Sequence, residues 1–358
     1  MATIAETASE GVLTATRPAW ILSRRDDLVW FQGSVVAGLA LLAFFALAPR
    51  VDEASFGPWH PAVLAVLLWG ILFDGTHVWA TYARTYLAPD GASRAALPGR
   101  WSWAVLGVGP AIALLAASLF PFFQLAAYLW AYWHLVRQHY GFVMLYRRRA
   151  GESNRRGARV DSLLLWIGCL YPYLRFSLTE AYARSGLPVL VPVSMLASLR
   201  LVLDVAFGVA LLAIVAVIMA GIVEPLRPGP KHLLLAIVIG FHLLVFGLLD
   251  HLLTILATLT IFHNLQYHRI VWQYERGLGR VPSGSLRRYL VLGLALGVAW
   301  YGTRVFGVAF FQDETVRNVL LGLGWGVAFH HYIVDGRVWR VRRSPVVARA
   351  LDDGALAR

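Results

Sequence analysis

The sequence predicts an all-α, polytopic membrane helix bundle of about ten transmembrane helices. Three observations carry this. Hydrophobic residues make up 58% of the 358 positions and charged residues only 15%, against about 25% charged in a soluble globular domain. Apolar runs of about 20 residues recur along the chain, each long enough to cross a ~30 Å hydrocarbon core as a helix. The polar stretches between them are too short for a soluble domain. Residues 1–358 therefore read as a single integral membrane domain, with a cytoplasmic segment over 1–28 and a basic cytoplasmic tail over 338–358.

The helices fall in order at 29–48, 61–82, 101–118, 121–146, 161–178, 199–223, 231–249, 251–272, 289–309 and 318–337. The first follows "SRRDDLVWF", which resembles a twin-arginine export signal. Asp26 and Asp27 stand where apolar residues should follow the arginine pair, and the apolar run is long for a signal, so the segment reads as a retained helix. Helices three and four are joined by "LFP" at Leu119 to Pro121, and seven and eight by "LDH" at Leu249 to His251, so each pair reads as a tight hairpin. Arginines cluster in alternate connections: Arg24 and Arg25, Arg84 to Arg100, "RRRAGESNRRGAR", Arg269 to Arg288, and the segment from Arg337 onward. By the positive-inside rule both termini are cytoplasmic. This also accounts for the net charge of +12 without a nucleic-acid partner. Lys231 is the single lysine, which reads as codon usage. Cys169 is the single cysteine, which excludes an intrachain disulfide and argues against a thiolate metal cluster.

Seven of the 11 histidines fall in four stretches: "FDGTHVW" (His77), "HLVRQH" (His134, His139), "HNLQYH" (His263, His268) and "HHYIVDG" (His330, His331). All four stretches lie on even-numbered helices. Counted back from Arg84, Arg147, Arg276 and Arg337, the seven sit six to 13 residues from the arginine that ends each helix. At 1.5 Å per residue that is one slab about 10 Å thick in the cytoplasmic half. Ionisable groups inside membrane helices usually face a bundle interior and mark function. Neutral imidazole is the commonest nitrogen ligand of iron, copper and zinc. The candidate metal ligands are therefore His77, His134, His139, His263, His268, His330 and His331. Asp74 and Asp335 join them from one turn away, as ligands or as acceptors that fix a histidine tautomer. A shift of 129 residues overlays His134 on His263, His139 on His268 and Arg147 on Arg276, as in a diverged hairpin repeat. Five residues place His134 and His139 about 140° apart on a helix. Both reach one site only if it is wide, with two metals, or if a π-bulge widens the helix.

His60, His232, His242 and His251 sit alone or near helix ends and read as bystanders. Arg137, Tyr140 and Asn264 are candidate catalytic residues beside the layer. Arg137 would bind a substrate carboxylate or orient an acidic side chain, or else point outward and snorkel.

"HLVRQH", "HNLQYH" and the "HH" pair resemble the histidine boxes of membrane desaturases, hydroxylases and alkane monooxygenases. His134 with His139, and His330 with Asp335, are also similar to the boxes of the Brp/Blh carotenoid-cleaving family. Either resemblance is confined to these motifs. Both imply a non-haem iron enzyme using dioxygen on an apolar substrate. The expected function is a membrane-embedded, metal-dependent oxidoreductase or oxygenase acting on a lipid, hydrocarbon or isoprenoid substrate. Two irons are expected, with zinc or copper as alternatives, and an electron donor as a further partner. A bacterial inner-membrane location follows from the topology. Two other classes compete. Histidines at matched depth could be axial haem ligands, or a relay in a proton or metal-ion transporter.

Overall fold

The computed structural model describes residues 19–47, 61–87, 97–220, 229–279, 285–302, 311–341 and 344–356. His60 lies outside them, as do the ends of three expected helices at 48, 221–223 and 303–309. Among the described residues all regular structure is helical. Helices are α1 (Arg24–Leu47), α2 (Pro61–Arg84), α3 (Val105–Leu115), α4 (Phe120–Arg149), α5 (Arg155–Ser177), α6 (Leu196–Met219), α7 (Pro230–Leu248), α8 (Leu252–Gly277), α9 (Ser285–Gly297), α10 (Glu314–Val338) and α11 (Pro345–Leu356).

Local chemistry explains where several begin. Ser23, Asn154 and Asp313 cap α1, α5 and α10 by accepting a backbone N–H two or three residues on. Proline occupies the first turn of α4 and α7, where its missing N–H has no helical partner to lose. Asp27 is buried and holds the backbone N–H groups of Ile21 and Leu22 at 2.7 and 3.0 Å. The acidic pair after the twin arginines thus shapes the entry to α1.

Four helices are long and apolar enough to cross a membrane: α1, α2, Val193–Met219 and α7. A fifth span arises if Arg100–Leu115 and Ala117–Arg149 count as one bent element. The chain is accordingly a membrane protein. α6 shows why most plainly. Its window has a mean hydropathy of 2.8, and Leu201, Val205, Leu212 and Met219 are all exposed. A helix apolar on nearly every face needs lipid around it. It touches the bundle through Tyr171 of α5, which stacks on Phe207 at 3.8 Å and donates to Asp204 at 2.9 Å.

The expected hairpin of α3 and α4 is instead a bend of 119°. Ala116 leaves helical geometry, and a 3₁₀ turn over Ala117–Leu119 redirects the chain. α3 packs on α10 through small residues. A Cβ on Gly109 would lie 2.5 Å from Gly322 Cα, and one on Gly326 would lie 2.5 Å from Leu106 Cα. Such spacing, Gly322-x-x-x-Gly326, lets backbones approach as membrane helices commonly do.

At the arginine-rich ends, Arg147 pairs with Asp161 and Glu152 at 2.6 and 2.8 Å, and Lys231 pairs with the same two at 3.0 and 2.6 Å. This network joins α4, the turn after it, α5 and α7. The basic tail is partly ordered as α11, and Asp352 takes Arg148 and Arg149 of α4 at 2.8 and 3.0 Å. α8 runs through the middle, packed by α1, α2, α4, α7 and α11.

Candidate metal centre

α2, α4, α8 and α10 meet around a buried polar group. His77 (α2), His134 (α4), His331 and Asp335 (α10) each offer a ligand atom, and these atoms all lie within 4.8 Å of one another. All four side chains are buried. The group could hold a metal ion.

Its finest detail is the distance between His77 Nε2 and His331 Nε2, 2.9 Å. That is the length of a direct imidazole–imidazole hydrogen bond, so the two rings meet nitrogen to nitrogen at the centre of the group. Ring centroids of His77 and His134 are 6.5 Å apart, and those of His134 and His331 are 5.1 Å apart.

The surroundings prepare these rings. Thr81 Oγ1 lies 2.9 Å from His331 Nδ1 and donates to Asp335 Oδ1 at 3.0 Å. A hydroxyl that gives its proton to a carboxylate accepts from the imidazole. His331 then carries its proton on Nδ1, and its Nε2 lone pair accepts from His77 Nε2, 2.9 Å away. Tyr267 of α8 also donates to Asp335 Oδ1, at 2.7 Å. Oδ1 is thus occupied twice, while Oδ2 faces His331 Nε2 at 3.7 Å. The carboxylate is held by one oxygen and offers the other. Such outer partners orient ligands in most metal sites.

Three nitrogens in this region, His77 Nδ1, His134 Nε2 and His263 Nδ1, have no hydrogen-bond partner in the protein. A buried polar atom left unpaired costs about 1–3 kcal/mol. Three together fit a group that needs an occupant.

The remaining expected site residues are distributed around this centre. His263 lies beside it, with its ring 4.8 Å from His77 and 5.4 Å from His134. His268 has both nitrogens engaged, by Thr76 at 3.1 Å and Tyr289 at 3.0 Å. His330 also has both engaged, by Tyr82 at 3.0 Å and Tyr86 at 3.2 Å. His139 points to the other side of α4, toward His242 and Phe262. α4 is a regular α-helix throughout, so no π-bulge brings His139 round to His134. A π-turn occurs instead in α2, over Gly70–Asp74, directly before His77. Asp74 accepts a hydrogen bond from Tyr301. Asn264 is buried, and neither its oxygen nor its nitrogen has a hydrogen-bond partner in the protein. Tyr140 is half-buried, and the exposed Arg137 lies over its ring at 5.1 Å. The outward stripe Trp133, Arg137, Gly141 carries that arginine away from the centre.

Two contacts were not legible in the sequence. Thr81, one turn after His77, bonds to His331 and Asp335, and His242, solitary on its own helix, lies against His139 of α4.

A cavity of about 490 Å³ ends on the centre, within the ~300–1,000 Å³ usual for ligand pockets. His77, His134, His263 and His331 form one end. Its wall also includes Leu135, Leu256, Val63 and Leu253, with Val63 and Leu253 near the starts of α2 and α8. No family model, curated protein or solved structure matches the chain.

Proposed function

We propose that the protein is a membrane-embedded, metal-dependent oxidoreductase of the oxygenase type, acting on an apolar lipid, hydrocarbon or isoprenoid. One observation carries the reading: a largely apolar cavity inside a membrane protein is lined by His77, His134 and His331, three buried histidines that form a metal-competent group with Asp335. Val63, Val66, Leu67, Leu135 and Leu256 make much of the wall apolar, while Asp74, Gln124, His251, Thr254 and Thr260 add polar groups that keep an ion-transport role as the second reading. Axial haem ligation by His134 and His263 is disfavoured, because the His77 ring lies 4.8 Å from one of them and the His331 ring 5.1 Å from the other. Those rings occupy space that a macrocycle would need.

Iron is the preferred ion, since histidine combined with carboxylate suits non-haem iron(II). Zinc and copper are the alternatives. When bound, the metal supplies dioxygen binding and activation, with electrons from a separate donor. The chain's residues do the rest. His77, His134, His331 and Asp335 bind; Thr81 and Tyr267 orient His331 and Asp335; the apolar walls exclude water and align the substrate chain. The arginine distribution supports cytoplasmic termini, a site in the cytoplasmic half and all ten helices crossing or entering a bacterial inner membrane.

Metal analysis of the purified protein, with its visible spectrum and oxygen uptake on apolar chains, tests this. Iron without a strong Soret band is expected, and a stoichiometric Soret band would overturn the reading in favour of haem. Ala328→Leu narrows the cavity and should slow turnover while leaving the metal bound. Single-cysteine labelling at 152–159 tests orientation, with little background because the native Cys169 is buried.

A further inference from the structure

We propose that His139 and His242 hold a second metal cation, separate from the first and bound by imidazole nitrogen. His139 comes from α4 and His242 from α7, and both are buried. His242 Nδ1 lies 2.7 Å from the carbonyl oxygen of Val238, one turn back on its own helix. A carbonyl only accepts, so Nδ1 carries the proton and Nε2 is a bare lone pair. That arrangement, a ring fixed by a backbone carbonyl with the other nitrogen free, is the usual preparation of a histidine ligand. Nε2 has no hydrogen-bond partner in the protein, and neither nitrogen of His139 has one. Buried polar atoms are satisfied in the great majority of cases. Three orphaned nitrogens on two facing rings therefore need an explanation.

The spacing provides one. The ring centroids are 6.1 Å apart, with the planes at 82°. A direct N–H···N hydrogen bond of ~3.0 Å would draw the centroids within about 5.3 Å. An ion held by bonds of ~2.0–2.1 Å spans up to about 6.3 Å between centroids. The gap is too wide for a shared proton and admits one coordinated atom. The neighbours are aromatic: Phe262 lies 5.3 Å from the His139 ring and Tyr132 lies 5.8 Å from that of His242. The Tyr132 hydroxyl donates to Cys169 O at 2.5 Å and is already committed.

The two donors are neutral, and burying charge without a counter-charge is expensive. The site therefore suits a nitrogen-preferring cation of low charge, monovalent copper ahead of zinc. His263 lies between the two centres, 6.5 Å from His139 and 4.8 Å from His77. Its Nδ1 is also unpaired.

The test counts ions. Full-length protein in detergent is stripped with a chelator, titrated with zinc ion and with cuprous ion, and the bound metal is measured by atomic emission. Wild type should hold two equivalents, His331→Ala one, His242→Gln one, and the double variant none. The glutamine amide can still donate to Val238, which favours folding, and His139→Gln repeats the measurement from the other helix. A His242→Gln count equal to wild type, or a wild-type count of one that only His331→Ala removes, overturns the second site and leaves the first standing; the gap then holds a water. A single equivalent that survives His331→Ala and disappears in His242→Gln supports the second site and overturns the first.

Discussion

His330 and His331 are neighbours on α10, and each helps define a different region of the molecule. His330 sits in an aromatic cage. Trp103 stacks on it at 3.9 Å, and Tyr82 and Tyr86 take its two nitrogens. His331 sits 100° away on the helix, where Thr81 takes only Nδ1 and Nε2 faces His77. Both rings are shielded from solvent, and both nitrogens of each have a partner. What differs is the partner: two tyrosine hydroxyls hold His330, whereas His331 is held by a threonine hydroxyl and by a second imidazole, that of His77.

The largest effect should come from the ligand side. His331→Ala removes a direct bond and should lower metal affinity and turnover together, by more than the ~10–100-fold typical of supporting residues. Metal analysis beside an activity assay reads both. Asp335→Asn is a sharper cut. The amide oxygen can still accept from Thr81 and Tyr267, but the anion is lost. Because Oδ2 faces the centre, the loss should approach that of His331→Ala; a loss of only about tenfold would make the carboxylate a support rather than a ligand. Tyr267→Phe and Thr81→Val leave every ligand in place and should each cost about 10–100-fold in affinity, measured by competition with a chelator. The smallest effect belongs to the cage. Tyr82→Phe removes one hydrogen bond to His330 and should cost about 1 kcal/mol of stability in a melting curve, with metal content unchanged. Loss of metal in Tyr82→Phe or in His330→Phe would erase the distinction between the two rings.

Much of the architecture was legible in the sequence because hydrophobic length and charge are one-dimensional signals. Among the described residues helices occur in all ten expected segments, though only four of them, or five with the bent pair, are long and apolar enough to cross a membrane; the histidine stretches marked the helices that meet at the centre. Azimuth was not legible in the same way. His134 and His139 share a helix, and five residues send one ring to the metal group and the other to α7. The apparent repeat therefore unites His134 with His263 and parts His139 from His268. His242 lies in the buried stripe of α7 with Leu234, Leu235, Val238, Phe241 and Val245. A polar residue inside an apolar stripe was the signal, hidden because its partner lay on another helix. The bend between α3 and α4 was missed for a related reason: its direction depends on glycine contacts with α10, more than 200 residues away in sequence.

The π-turn at Gly70–Asp74 bears on how this site tolerates insertions and deletions. The Gly75 N–H reaches back to the Gly70 carbonyl, five residues away, so the turn holds one more residue than an α-helix would. It acts as a one-residue insertion absorbed without breaking the helix. Deleting Ile71 should let α2 close into an ordinary α-helix and rotate everything before it by about 100° relative to His77. Either His77 keeps its place and the Trp69 face leaves Tyr301, or the packing holds and His77 leaves the centre. A length change that removes no ligand would then act as a ligand mutation, and a second insertion between residues 70 and 74 would be expected to restore it.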